Sequence, residues 1–347
     1  MSAKKQSLAW FARNESEVAI GYGPFTAVDE PPDHDVAFYR QAYDLSDPEP
    51  WHIPDRVEWL TRDELPEKLL DYCELTELDP AAMVPQILWS ALDAVPFSVV
   101  FQEVMTAIQG GAFQKTVPVV TEIGHVEACP MPWLLQCMAR QVSPRRSYGW
   151  LDGDHGFAGA SPELLFSMEG KHFETMALAG TARSEDQEVF AVDEKEIREH
   201  EYVAQSLVAK LSELGSVIRH PREILRLGSI VHLHSRISLE LSEKTSINRL
   251  IRKMHPTPAL GPLPRTPETL AQLSGWRQQL ACPLEFGAPF GLSAHGRCDL
   301  LVAIRGIWWK DSQLYLPAGS GIIEASRLVN EWRELRLKRE SVKQFLS

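Results

Sequence analysis

The sequence predicts an α+β protein, with strands gathered in runs and followed by helices, not the βαβ alternation of a doubly wound sheet. Two stretches carry that reading. Tyr148 to Leu178 reads as successive strands cut by turn signals at Asp152-Gly153-Asp154 and Glu169-Gly170. Leu300 to Trp309 reads as a buried strand with Gln313 to Leu316 as its hairpin partner, after which the chain closes on a helix.

The chain has 347 residues, enough for one large domain with a sizeable core. Met1 to Ser7 holds two lysines and no apolar run, so no leader peptide, no membrane span and a cytoplasmic location are expected. Residues 1–95 are rich in Trp, Pro and acid, and Pro31-Pro32, Asp47-Pro48-Glu49-Pro50 and Pro54 argue against long elements there. Residues 194–214 form an amphipathic helix with Val203, Leu207, Leu211 and Leu214 at helical spacing. Gly319-Ser320-Gly321 is a turn, and the helix that follows, about 325–346, buries Leu328, Trp332, Leu335, Val342 and Leu346. Five cysteines (Cys73, Cys129, Cys137, Cys282, Cys298) are odd in number and form no C-x-x-C, which fits reduced thiols used for packing. The net charge of −12 speaks against nucleic acid as a partner, though a locally positive pocket for an anion remains compatible with it.

Three polar features are poorly explained by folding alone. Glu199 lies four and eight residues before Val203 and Leu207 and so shares their apolar face, where a carboxylate needs a cation or a donor. Its ordinary explanation is a salt bridge to a neighbouring arginine. Glu331, Glu334 and Lys338 fall along one edge of the last helix at spacings of three and four, which is also the pattern of a plain Glu–Lys pair on a solvated face. Arg305 sits inside Leu-Val-Ala-Ile-Arg-Gly-Ile, where a guanidinium must meet an anion, either structural or bound. The Gly319 turn is by default only a tight turn, but it precedes a helix and could offer N–H groups to an anion. His232 and His234 would share a strand face, but no third soft ligand stands near them, and the remaining carboxylates suit a hard ion.

Taken in order, Gly159-Ala-Ser-Pro-Glu-Leu-Leu165, Leu178-Ala-Gly-Thr-Ala-Arg183, Glu199-His-Glu-Tyr-Val203, His255-Pro-Thr-Pro-Ala-Leu260, Val302-Ala-Ile-Arg305, Ala318-Gly-Ser-Gly-Ile322 and Glu331-Trp-Arg-Glu334 with Lys338 resemble the chorismate-utilising enzymes. These include isochorismate synthase, salicylate synthase and the large chains of anthranilate and aminodeoxychorismate synthase. The resemblance spans about 110 to 340 and is slight over the first hundred residues. It implies the fold of anthranilate synthase component I: large antiparallel or mixed sheets packed as a sandwich, helices outside. It also implies one domain over 1–347, with 1–95 a divergent part and 96–347 the catalytic core.

By the same resemblance, Glu163 is the general acid and Lys115, in Gly111-Ala-Phe-Gln-Lys115, the base that activates water. Mg²⁺ is held by Glu199 and Glu334 with Glu331 and Glu196 close by. Gly180, Thr181, Ala259 and Leu260 line the ring pocket, and Arg305, Lys338 and the Gly319 turn take the substrate carboxylates. Ammonia-using relatives have Gln where this chain has Lys115, and aminodeoxychorismate synthases have a nucleophilic Lys where it has Ala179. The resemblance is therefore closest to isochorismate synthase, an isomerase of menaquinone and siderophore biosynthesis. Salicylate synthase, which goes on to eliminate pyruvate, is the alternative, and its pocket wall is more polar than Ala259-Leu260. The implied partner is chorismate alone, without nucleic acid, membrane or amidotransferase subunit. This chain departs from its relatives at Pro283-Leu-Glu-Phe-Gly287, which lacks the charged residue they often show before the Gly-x-x-x-Gly turn, in Pro317, and in a shortened acidic stretch from Ser184 to Asp193.

Overall fold

A computed structural model describes residues 7–72, 86–126, 131–140 and 144–346. Cys73 and Cys129 lie outside the described residues. Cys282 and Cys298 are free thiols, the latter fully buried.

Strand pairing forms one continuous ribbon, and every ladder in it is antiparallel. One half runs outward from Ile230–Leu241 through His172–Arg183, Leu164–Glu169, Arg297–Val302 and Pro289–Ala294 to Ala37–Arg40. The other half returns through Trp51–Leu60, Val18–Val28, Leu8–Ala12, Arg146–Asp152, His155–Ser161, Gly306–Lys310 and Gln313–Gly319 to Val119–His125. The ribbon folds over on itself, so that inward side chains of the two halves share one core. Phe290 from the first half meets Phe157 edge-on at 5.4 Å and Tyr148 at 5.6 Å from the second. Phe166, Phe173, Leu300 and Trp308 fill the same layer. The sandwich expected from the sequence is therefore present, and its described ladders are purely antiparallel.

Two expectations are corrected. Residues 1–95 hold long strands, Val18–Val28 and Trp51–Leu60, which supply the turn of the ribbon. Proline does not prevent this: Pro24 falls where the register slips between Tyr22 and Phe25, and Pro54 stands opposite Phe25 beyond that slip. The run Leu300 to Trp309 is not one strand. It splits into Arg297–Val302 and Gly306–Lys310, which pair with different halves of the ribbon, and the break carries Arg305 at φ 57°.

Helices cover the outside. The Glu194–Ser212 helix starts at Asp193, whose carboxylate accepts from the N–H groups of Lys195 and Glu196. It buries Glu199, His200, Val203, Leu207 and Leu211, and packs against His172–Arg183. The Leu328–Lys343 helix buries Glu331, Glu334, Leu335 and Val342 over Gln313–Gly319. Each helix thus directs carboxylates inward, from a mainly apolar face in the first and from a mixed face that also buries Arg339 and Ser341 in the second. Among the described residues no helix is long and apolar enough to cross a membrane.

Candidate active site

An inner chamber of about 60 Å³ and an outer vestibule of about 840 Å³ adjoin at Thr181, which lines both. Glu163, Gly180, Ala259, Leu260, Arg305, Gly319 and Lys338 all line the chamber, although they are far apart along the chain. Glu331, Glu334 and Glu196 line the vestibule, and Glu199 the chamber, so the carboxylates stand at the boundary between the two spaces.

Glu163 is held by its backbone. Its N–H donates to Ser161 Oγ at 3.2 Å, and its carbonyl accepts from Val302 N at 3.0 Å. Thr257 Oγ1 donates to Glu163 Oε1 at 3.1 Å. Burial raises the carboxyl to about 7, against the pull of the Thr257 hydrogen bond and of the charges on Lys115, Lys338 and Arg305. It therefore holds a proton near neutrality, as a proton donor must.

Lys115 is fully buried. Its Nζ donates to the Pro258 carbonyl at 2.7 Å and lies 3.3 Å from Glu199 Oε1. Burial lowers its pKa, Glu199 opposes that, and the charges of Lys338 and Lys195 assist it. Thr257 on the acid and Pro258 on the base are adjacent residues of His255-Pro-Thr-Pro-Ala-Leu260. In the sequence that segment stands out as a motif and for its wall residues Ala259 and Leu260; the hydroxyl of Thr257 was the missed signal.

Arg305 is buried, and among the described residues no carboxylate lies within ion-pair distance of it. Its Nη2 donates to His232 Nε2 at 3.0 Å, and its Nε has no hydrogen-bond partner. Burial lowers this guanidinium to about 10. His232 Nδ1 lies 2.6 Å from the Gly180 carbonyl, which can only accept, so Nδ1 carries the proton and Nε2 is left as the acceptor for Arg305. Burial and the Arg305 charge hold the imidazole neutral. His232 thus orients Arg305 and is no metal ligand; His234 turns instead to Glu223 at 3.0 Å. A buried guanidinium whose strongest partner is a neutral imidazole retains its attraction for an anion.

Lys338 Nζ reaches Glu334 Oε1 at 2.5 Å and the Gly319 carbonyl at 2.8 Å. In the Gly319 turn, Ser320 N donates to Pro118 O, and Ser320 Oγ donates to Glu331 Oε2 at 2.5 Å. Gly321 is required for space, since a Cβ there would stand 2.0 Å from Glu199 Oε1. At Gly180, whose φ of 73° already favours glycine, an added Cβ would stand 2.7 Å from Glu196 Oε2.

Glu196, Glu199, Glu331 and Glu334 converge from the two helices on one ammonium, that of Lys195, at 3.1, 3.0, 3.3 and 4.0 Å. The expected arginine partner of Glu199 is replaced by two lysines, Lys195 and Lys115. Burial alone would raise Glu199, but Lys195, Lys115 and Lys338 hold it down at about 2. Burial pushes Glu196 up to about 8, and Glu331 is likewise raised by burial and by Glu334 and Glu199. Among the described residues no three acidic, His or Cys side chains are drawn together tightly enough to hold an ion as they stand. The donor set nevertheless fits a hard divalent cation. It is all carboxylate oxygen, and Glu196 Oε2 and Glu331 Oε1 are buried without a hydrogen-bond partner. Sequence spacing brought out Glu199, Glu331 and Glu334, but not the lysine at their centre.

A family model described as chorismate binding enzyme matches residues 66–347. The salicylate biosynthesis isochorismate synthase of Pseudomonas aeruginosa is 31% identical over 261 residues, covering 71% of this chain and 53% of that protein. Isochorismate synthase EntC of Escherichia coli K12 is 32% identical over 193 residues, covering 52% of this chain and 48% of that protein. The chain thus spans about half the length of the curated relatives it matches. The structure of MenF, the menaquinone-specific isochorismate synthase of Escherichia coli, superposes with a TM-score of 0.82 at 19% identity, covering 99% of this chain and 90% of that one. That likeness concerns the fold.

Proposed function

The chain belongs to the chorismate-binding enzymes, and within that family we propose that it interconverts chorismate and isochorismate. In this reaction water adds at one ring carbon, a hydroxyl leaves from another, and the ring double bonds shift. The observation that carries the reading is the pair formed by Lys115 and Glu163. Burial favours the neutral amine at one and the protonated carboxyl at the other, and one segment, Thr257-Pro258, touches both. Water is a poor nucleophile and hydroxide a poor leaving group, so the reaction needs such a base and such an acid together.

Lys115 would take the proton from water, and Glu163 would deliver one to the departing hydroxyl. Arg305, steered by His232, would clamp one substrate carboxylate with its planar fork, and Lys338 would add a second cation from the chamber wall. Mg²⁺ held by Glu199, Glu331 and Glu334 would supply positive charge for the ring carboxylate. A buried Leu260 on the chamber wall has no group to steer an enolpyruvyl arm, which supports release at isochorismate rather than elimination to salicylate.

The test is product analysis with chorismate and Mg²⁺ near neutral pH, by chromatography with mass detection. Isochorismate that appears early and persists in a mixture with chorismate is the expected result. Salicylate and pyruvate rising in step with chorismate loss would move the assignment to salicylate synthase. Anthranilate formed on adding ammonium would overturn the role given to Lys115.

A further inference from the structure

We propose that Lys195 is an internal cation standing in the divalent-ion position, and that binding the ion requires its ammonium to leave for the vestibule. The inference rests on the reading that Glu199, Glu331 and Glu334 take Mg²⁺. It begins from Lys195 Nζ, which lies within 3.3 Å of carboxylate oxygens of Glu196, Glu199 and Glu331 and 4.0 Å from Glu334, from two different helices. An ion bound at about 2.1 Å from the same oxygens occupies the same space, so the two cannot coexist there.

Charge points the same way. The ammonium of Lys195 stands at the centre of the carboxylates, and a doubly charged ion brought in beside it in a buried site would meet direct repulsion, whereas an ion exchanged for it meets the carboxylates without that repulsion. Lys115 and Lys338 have other anchors, the Pro258 and Gly319 carbonyls, whereas every ion-pair partner of Lys195 belongs to the cluster.

The exit path is also present. Lys195 lines the 840 Å³ vestibule, and its backbone is fixed at the helix start by the Asp193 cap. Only its flexible four-carbon stem must move. In the absence of the ion, the ammonium fastens the Glu194–Ser212 helix to the Leu328–Lys343 helix at the boundary of the chamber. Lys195 therefore sets how tightly the ion binds, by competing with it for the same oxygens.

The experiment uses the full chain, freed of metal by chelation and dialysis, and titrates MgCl₂ calorimetrically without substrate. Lys195→Met keeps the stem and removes the charge, and Lys195→Gln keeps a hydrogen-bond donor should the first variant fold poorly. Either should bind Mg²⁺ at least tenfold more tightly than the wild type. Thermal midpoints give a second readout: the variants should melt lower than the wild type without Mg²⁺ and gain more from saturating Mg²⁺. Lys195→Arg, which keeps the charge, should bind no more tightly than the wild type. Equal or weaker Mg²⁺ binding by Lys195→Met and Lys195→Gln would overturn the exchange while leaving the metal reading intact. No binding heat and no thermal gain in any variant would overturn both.

Discussion

Replacing Glu163 by Gln should make the protein more stable above neutral pH and nearly inactive. The folded carboxyl titrates at about 7 against an ordinary 4.5, because burial disfavours its ionised form. A displacement of about 2.5 pH units is worth about 3 kcal/mol. Because the folded pKa is the raised one, the stabilising contribution is fully present below about 4.5 and is lost as pH rises through about 7. Above that range the folded chain carries a buried carboxylate that the unfolded chain would solvate. The amide introduced by Glu163→Gln would be neutral throughout, and its oxygen could still accept from Thr257 Oγ1. The two chains should therefore have similar unfolding free energies near pH 4.5 and diverge to about 3 kcal/mol in favour of the variant by about pH 8. Urea unfolding at a series of pH values measures this directly. Turnover should fall by about 10² or more, since the amide cannot give up a proton. Parallel stability profiles for the two chains, or a variant weaker at pH 8, would refute the buried, protonated acid.

Lys115→Ala should lower turnover by about 10² or more while the chain stays folded by circular dichroism, and a near-normal rate would remove Lys115 as the base. The wild-type rate should follow a bell in pH, rising as Lys115 loses its proton and falling as Glu163 loses its own at about 7; a rate still climbing well above that value would contradict the acid. His232→Ala should raise KM for the dianionic substrate by roughly 10- to 100-fold, as Arg305 loses its orienting acceptor, and an unchanged KM would show that Arg305 is placed without it. Chelation should abolish activity and Mg²⁺, but not Zn²⁺ alone, should restore it, because the donors are hard oxygens; full activity after exhaustive chelation would exclude the metal.

The parts of the site that share one element were legible in the sequence. Glu331, Glu334 and Lys338 meet at helical spacing, and Glu199 stands on the face of Val203 and Leu207 because four residues make about one turn. What brings the two helices together is packing across the ribbon, which no local period encodes, so the central place of Lys195 stayed hidden. The same limit explains Arg305. An apolar run from Leu300 to Trp309 looks like one buried strand, since both of its halves are buried. Only the pairing reveals that Arg297–Val302 belongs with Leu164–Glu169 and Gly306–Lys310 with His155–Ser161, and that the chain must bend between them. In the first hundred residues proline density misled, because a proline is tolerated where the ladder slips.

That bend ties the anion anchor to the acid. Ser161 Oγ donates to the Val302 carbonyl at 2.7 Å, Val302 N donates to the Glu163 carbonyl, and Ala160 N donates to the Arg305 carbonyl at 3.0 Å. Tyr148 Oη closes the set on the Ile304 carbonyl at 3.0 Å. The segment 160–163, which carries the proton donor, and the segment 302–305, which carries the buried guanidinium, are thus stitched together by backbone at each end. A left-handed Arg305 costs about 1–3 kcal/mol, and it persists because these bonds determine the backbone on both sides. The strain has a use: it turns the guanidinium out of a strand whose neighbours are apolar and into the chamber, where His232 fixes its direction. A substrate carboxylate held there is held relative to Glu163 by covalent chain and these hydrogen bonds rather than by mobile side chains, which is what proton delivery to one particular ring hydroxyl requires.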